Sequence, residues 1–139
     1  MDSSLHQPWI RAALLLGALY LVVGRLFAAP ATYVQEWRLA AWMVSGVAFA
    51  AHIAYEHFSL RHSPLLLAWH AAVAVAIGAF LLAVAGMIRS VWVTSAVRPA
   101  WLLALVLWPA FTAIPAFLVA LLVATLLRHL RLRTDKVSL

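Results

Sequence analysis

The chain has 139 residues, of which 67% are hydrophobic and only 10% are charged. A soluble domain carries roughly 25% charged and about 45–50% apolar residues, so this composition excludes a soluble protein. It indicates an integral membrane protein with a single domain, residues 1–139. The absence of cysteine excludes disulfides, thiolate metal ligands and cysteine nucleophiles. The net charge of +6 favours contact with anionic lipid, and we expect no nucleic-acid binding.

Four apolar segments are long enough to cross a membrane as helices. Crossing a hydrocarbon core of about 30 Å takes about 20 apolar residues. Short polar connections separate the segments, and three segments have proline at or near the start, where its missing N–H costs little. The predicted helices are residues 8–28, 37–58, 64–88 and 99–127. The sequence therefore predicts an all-α, up-down antiparallel bundle of four transmembrane helices.

The first predicted helix loosely resembles a secretory signal peptide, with small residues at 28–31 imitating a cleavage site. Asp2 disturbs the basic start that a signal peptide needs, and Arg25 lies within the would-be cleavage region. We therefore expect this segment to be retained as a helix.

Basic residues near the helix ends predict the orientation. With four spans, both termini share one side of the membrane with the second connection. That side carries Arg11, Arg61, Arg128, Arg131, Arg133 and Lys136, and the other side carries Arg25, Arg38, Arg89 and Arg98. The excess predicts cytoplasmic termini, in what we expect to be a bacterial inner membrane. Residues 128–139 are predicted to form a basic tail that binds anionic lipid through Arg128, Arg131, Arg133 and Lys136.

The third helix carries a stripe of small residues, and a parallel line of small or polar residues runs beside it. The stripe consists of Ala68, Ala72, Ala76, Ala79, Ala83 and Gly86, and the line consists of His70, Ala74 and Gly78. Because small residues let membrane helices approach closely, we expect this helix to be the most buried of the four.

The fourth helix contains two prolines, Pro109 and Pro115, with Thr112 between them. Each proline frees a carbonyl about one turn earlier, and a threonine hydroxyl can bond such a carbonyl. The pattern predicts a kink at Pro109 and Pro115, with Thr112 bonded to one of the freed carbonyls.

The stretch from Ala51 to His70 holds most of the polar side chains that lie near the membrane interior. These are His52, Glu56, His57, His62 and His70. We expect His57 and His62 to be solvated residues of the turn between the second and third helices. His52 and His70 are each predicted about 9 Å inside the membrane boundary, at equal depth on adjacent helices. Glu56 follows His52 by one turn, so the two side chains share a helix face.

Intramembrane polar residues are functional candidates by default. One interpretation is structural, in which His52 and His70 hydrogen-bond to each other or to backbone and hold the hairpin together. A second is a proton or ion relay that titrates His52 and Glu56. A third is a carboxylate–histidine metal site formed by His52, Glu56, His57, His62 and His70, and a fourth is haem b with His52 and His70 as axial ligands. The binding or relay candidates are His52, Glu56, Trp69, His70 and Thr112, and the metal candidates are His52 and His70.

Enzymatic activity has little support in the sequence. No glycine-rich phosphate loop or deep pair of carboxylates is present, and Ser45 lies too far from His52 for a nucleophile–base pair. We therefore predict no catalytic residue. The leading functional prediction is a homo-oligomeric protein or an accessory subunit of a membrane complex, with a polar site on the hairpin of the second and third helices. The alternatives are an oligomeric small-solute or proton-coupled transporter, and a membrane anchor that binds haem or quinone.

Overall fold

The structure, a computed structural model, describes residues 8–26, 33–95 and 99–137, without the side chains of residues 94 and 132–137. It contains four helices, α1 (Pro8–Leu26), α2 (Val34–Phe58), α3 (Pro64–Thr94) and α4 (Pro99–Val137). All four are long and apolar enough to span a membrane. The all-α class is thus as predicted, and so are four helices of membrane-spanning length and composition. The small residues considered for signal cleavage, 28–31, lie outside the described residues.

Helices α3 and α4 are both longer than predicted. Residues 89–94 contain no glycine or proline, and α3 ends only where Ser95 adopts a left-handed backbone with φ of 54°. The predicted basic tail is instead helical as far as Val137, because its leucine and arginine residues favour helix. With 31 and 39 residues, these helices are about 46 and 58 Å long at 1.5 Å per residue.

Helix α3 is the centre of the structure. It packs against α4 and α1, whereas α2 makes far fewer contacts with the other helices. Of the four spans, that of α3 has the largest buried share of its residues, as predicted. Its two faces pack against different partners. The main core consists of Ile53, Leu67, Ala68, Ala71, Ala120 and Ala124, and a smaller core beside α1 consists of Ala13, Leu16 and Ala74.

The helix α1 approaches α3 closely at glycines. A Cβ atom added to Gly17 would lie 2.6 Å from Ile77, and one added to Gly24 would lie 2.5 Å from Leu82. Because Gly17 lies against Ile77 and Gly24 against Leu82, residue numbers increase in the same direction along α1 and α3 at this contact. Between α3 and α4 the order is reversed, because Gly86 near the end of α3 lies against Trp101 near the start of α4.

Helix α4 continues without interruption through both of its prolines. The hydroxyl of Thr112 bonds to backbone carbonyls, 2.9 Å from the oxygen of Trp108 and 3.1 Å from that of Pro109. The carbonyls that Pro109 and Pro115 leave without an N–H partner belong to Leu105 and Phe111, four residues earlier. The predicted role of Thr112 is therefore wrong, since it bonds to neither freed carbonyl.

Candidate functional site

A five-residue turn, residues 59–63, joins α2 to α3 and determines what the hairpin brings together. The N–H of Ser59 donates to the Tyr55 carbonyl at 2.9 Å and closes the end of α2. Arg61 then adopts a left-handed backbone with φ of 53°. Ser63 caps α3 by accepting from the N–H of Leu66 at 3.4 Å. This path folds His62 back over the last turn of α2.

Glu56 is the centre of the polar cluster at this turn. Its side chain is fully buried, and its Oε2 atom accepts hydrogen bonds from the Nδ1 atoms of His62 and His70, the latter at 3.1 Å. An ionised carboxylate only accepts, so each imidazole donates its N–H. Residues from α2, the turn and α3 therefore converge on one oxygen. The three atoms, one from each residue, lie within 4.8 Å of one another.

His70 is held in a defined orientation by aromatic neighbours as well as by Glu56. Its ring stacks on Trp9 of α1, with centroids 4.2 Å apart and planes 1° from parallel. The His62 ring meets it edge to face at 5.0 Å. Because α1, α3 and the turn all contribute, the Nδ1 atom of His70 has little freedom to leave the cluster.

Two buried atoms of the cluster have no hydrogen-bond partner among the described residues. They are Nε2 of His52 and Oε1 of Glu56. His52 lies one turn before Glu56 on α2 and is also buried. Buried polar atoms are almost always hydrogen-bonded in proteins, so each of these two atoms is expected to bind a water molecule or an ion.

The carboxylate of Glu56 also lacks a permanent positive partner. In the described parts of the chain, its ion-pair contacts are to His62 and His70, and no arginine lies within ion-pair distance of it. Burying a carboxylate is costly unless a positive charge compensates it. Protonated histidines, a bound cation or a neutral, protonated carboxyl group would each remove that cost.

Of the predicted candidates, the fold brings Glu56 and His70 into contact and leaves His52 beside them. Trp69 is 60% exposed and lines a groove between α3 and α4, and Thr112 is bonded within α4. The predicted metal pair of His52 and His70 is not the set that converges, because His62 takes the place of His52.

The expectation for His57 and His62 was wrong. His57 belongs to α2 and is buried, with its ring edge against Phe58. His62 does lie in the turn, but it is only 23% exposed and bonds to Glu56. The sequence shows a histidine six residues after Glu56, but the turn that brings the two together passes through a left-handed Arg61, which the sequence does not indicate.

The predicted lipid-binding arginines lie beside the same turn. Arg128 and Arg131 line a cavity together with residues of the hairpin, and the guanidinium of Arg131 lies 5.8 Å from the centre of the Phe58 ring. The side chains of Arg133 and Lys136 lie outside the described part of the structure.

Trp9 is a residue of the site that the sequence did not identify. A tryptophan near the start of a membrane helix is typical of the interfacial belt, and nothing local to Trp9 indicates His70 as its partner.

Comparisons with protein-family models, curated proteins and solved structures found no match to this chain.

Proposed function

We propose that the protein is a small membrane subunit that binds one divalent first-row transition-metal ion, such as Zn²⁺, through Glu56, His62 and His70. The observation that carries the proposal is the convergence of one carboxylate oxygen and two imidazole nitrogens within 4.8 Å at a buried position. Two histidines and one glutamate form a common ligand set for zinc, and a related set binds non-haem iron.

The spacing of these atoms suits coordination after a small adjustment. In a tetrahedral zinc site with bonds of about 2.1 Å, neighbouring ligand atoms lie about 3.4 Å apart. The Nδ1 of His70 and the Oε2 of Glu56 are 3.1 Å apart. The ion would replace the two protons that now join the histidines to Glu56, so the same atoms serve either hydrogen bonding or coordination.

The unpartnered atoms of the cluster support a cation over a purely hydrogen-bonded arrangement. A cluster that only holds two helices together is expected to be fully satisfied, because each buried unsatisfied polar atom costs stability. An ion bound by Glu56 would lie close to its Oε1 atom, which has no hydrogen-bond partner among the described residues. The positive charge of the cation would also offset the cost of burying the Glu56 carboxylate.

Metal content of the purified protein tests the proposal. Protein stripped with a chelator, reloaded with Zn²⁺ in mild detergent and analysed by elemental mass spectrometry is expected to hold one ion per chain. Reloading with Co²⁺ should give the visible absorption of a cobalt–imidazole site. His62→Ala and His70→Ala should each lower the affinity by more than about 100-fold, because even residues behind metal ligands contribute 10–100-fold.

His129→Ala is the matched control for these variants. His129 is an exposed histidine of α4, so its loss should leave the zinc content unchanged. Equal zinc content in wild type, His62→Ala and His70→Ala would exclude the site.

A second candidate function is the structural one, favoured by the sparse packing of α2. Because α2 contacts the other helices far less than α3 does, the bonds from Glu56 to His62 and His70 are a major link between α2 and the bundle. In that case the cluster holds the hairpin in place, and the exposed face of α2 is available to a second copy or another subunit. Solute transport and the binding of haem b or quinone remain predictions made from the sequence.

The contacts also support the finer topology. We infer that the helices form an up-down antiparallel bundle, since α1 and α3 run in one direction and α4 runs in the other. Both termini then lie on the side of the α2–α3 turn, which the basic residues assign to the cytoplasm. We also infer a bend of α4 at Pro109 and Pro115. The hydroxyl of Thr112 donates a hydrogen bond to the carbonyl four residues earlier, and such bonds often bend helices.

A further inference from the structure

A cavity beside the metal candidate is lined mainly by basic and polar residues, together with Pro64. It measures about 340 Å³, and its lining includes His57, Arg61, His62, Ser63, Arg128 and Arg131. The three arginines come from the turn and from α4. No carboxylate of the described residues forms an ion pair with any of them. Like charges gathered in one cavity repel each other, so the arrangement favours a bound anion.

An apolar groove adjoins this cavity between α3 and α4. It measures about 790 Å³ and is lined by apolar side chains such as Trp69 and Phe117. Ser63 lines both spaces, so the basic cavity and the apolar groove meet at the start of α3. A ligand that fills both has an anionic head and a long apolar chain.

We propose that this composite site binds one anionic phospholipid, with its phosphate in the basic cavity and an acyl chain in the groove. Guanidinium groups bind phosphate oxygens with paired hydrogen bonds, which suits Arg61, Arg128 and Arg131 to this role. The cavity lies at the end of α2, where a headgroup of the adjacent leaflet can enter it. The lipid site goes beyond the proposed metal site and shares only His62 with its ligands.

The backbone of Arg61 supports a functional role for its side chain. Its φ of 53° is a left-handed conformation that glycine adopts more easily than arginine. An arginine at this position places a guanidinium at the mouth of the cavity despite the backbone cost. The conformation also makes Arg61→Gly an informative variant, because glycine removes the guanidinium and adopts the left-handed backbone at lower cost.

Native mass spectrometry of the purified full chain with added phosphatidylglycerol or phosphatidylcholine of equal acyl chains tests the site. Wild type is expected to retain one phosphatidylglycerol per chain in preference to phosphatidylcholine. Arg61→Gly and Arg128→Gln should each lower phosphatidylglycerol retention by about fivefold, the usual effect of one basic residue at an anionic surface. Ala113→Phe, which fills the groove, should weaken retention of both lipids.

Arg89→Gln is the control, since Arg89 is exposed near the opposite end of α3. Circular dichroism and detergent elution establish that each variant is folded, and Arg61→Gly is expected to fold at least as well as wild type. Equal retention of the two lipids, or equal losses in Arg61→Gly and Arg89→Gln, would overturn the proposal. Arg61-dependent binding of inorganic phosphate without lipid retention would also overturn it, in favour of a free-anion site.

Discussion

Replacing Glu56 with glutamine is expected to lower the affinity of the protein for Zn²⁺ by more than about 100-fold. Glutamine has nearly the same shape, so packing around this fully buried side chain is kept while its negative charge and anionic oxygens are lost. Zinc titration with a competing fluorescent chelator measures the change. Glu36→Gln is the matched control, because Glu36 is exposed in the first turn of α2. Unchanged zinc affinity in Glu56→Gln would contradict the metal proposal.

The same variant separates the metal proposal from the structural one. A ligand that binds only the folded state stabilises it by about 2.7 kcal/mol at a free concentration 100 times its Kd. Zinc should therefore raise the Tm of wild type and Glu36→Gln but not that of Glu56→Gln. If the cluster only holds the hairpin together, zinc would shift no Tm, and Glu56→Gln would be less stable than wild type in chelator as well.

Replacing Gly78 with leucine is expected to lower the free energy of unfolding by about 1–3 kcal/mol, the usual cost of overpacking a well-packed interface. An added Cβ would lie 2.7 Å from the Cβ of Tyr20 and 3.3 Å from the carbonyl oxygen of Gly17. Neither of those atoms can rotate away, so α1 must move from α3. Unfolding in mixed detergent micelles containing SDS, followed by tryptophan fluorescence, measures the loss.

Gly46→Leu is the control for this packing prediction. An added Cβ at Gly46 has no neighbouring atom within 4 Å, so the new side chain enters open space on α2. Leucine also favours helix over glycine by up to about 1 kcal/mol. Gly46→Leu should therefore be as stable as wild type or more stable. Equal stability of the Gly78 and Gly46 variants would show that α1 and α3 do not pack in this way.

The packing of α3 illustrates what local pattern can predict. Alanine and glycine repeat at helical spacing along α3, and most of that stripe is buried, including Ala68 and Ala83. The prediction succeeded because a membrane helix presents a fixed set of residues to each neighbour, and small residues mark the closest approach. The predicted α3 and α4 end too early in the sequence, because hydropathy falls at the membrane boundary while helix propensity does not.

The polar site shows where local pattern reaches its limit. Glu56 and His70 were singled out because polar residues inside membrane segments are rare and costly, which depends on residue type alone. The sequence predicts a solvated His62, because no local pattern indicates the left-handed Arg61 in the turn that brings His62 to Glu56. The stacking of Trp9 on His70 depends on how α1 packs against α3.

Apolar residue type and helical periodicity determined the all-α class, the four helices long and apolar enough to span a membrane, and the central place of α3. Residue type and periodicity each act within a single helix, so the sequence alone was sufficient to predict these features. Only the tertiary structure decided that Glu56 meets His62 and His70, and that Ser63 joins a basic cavity to an apolar groove. Such convergence depends on a single turn conformation and on distances between helices, which no segment determines by itself.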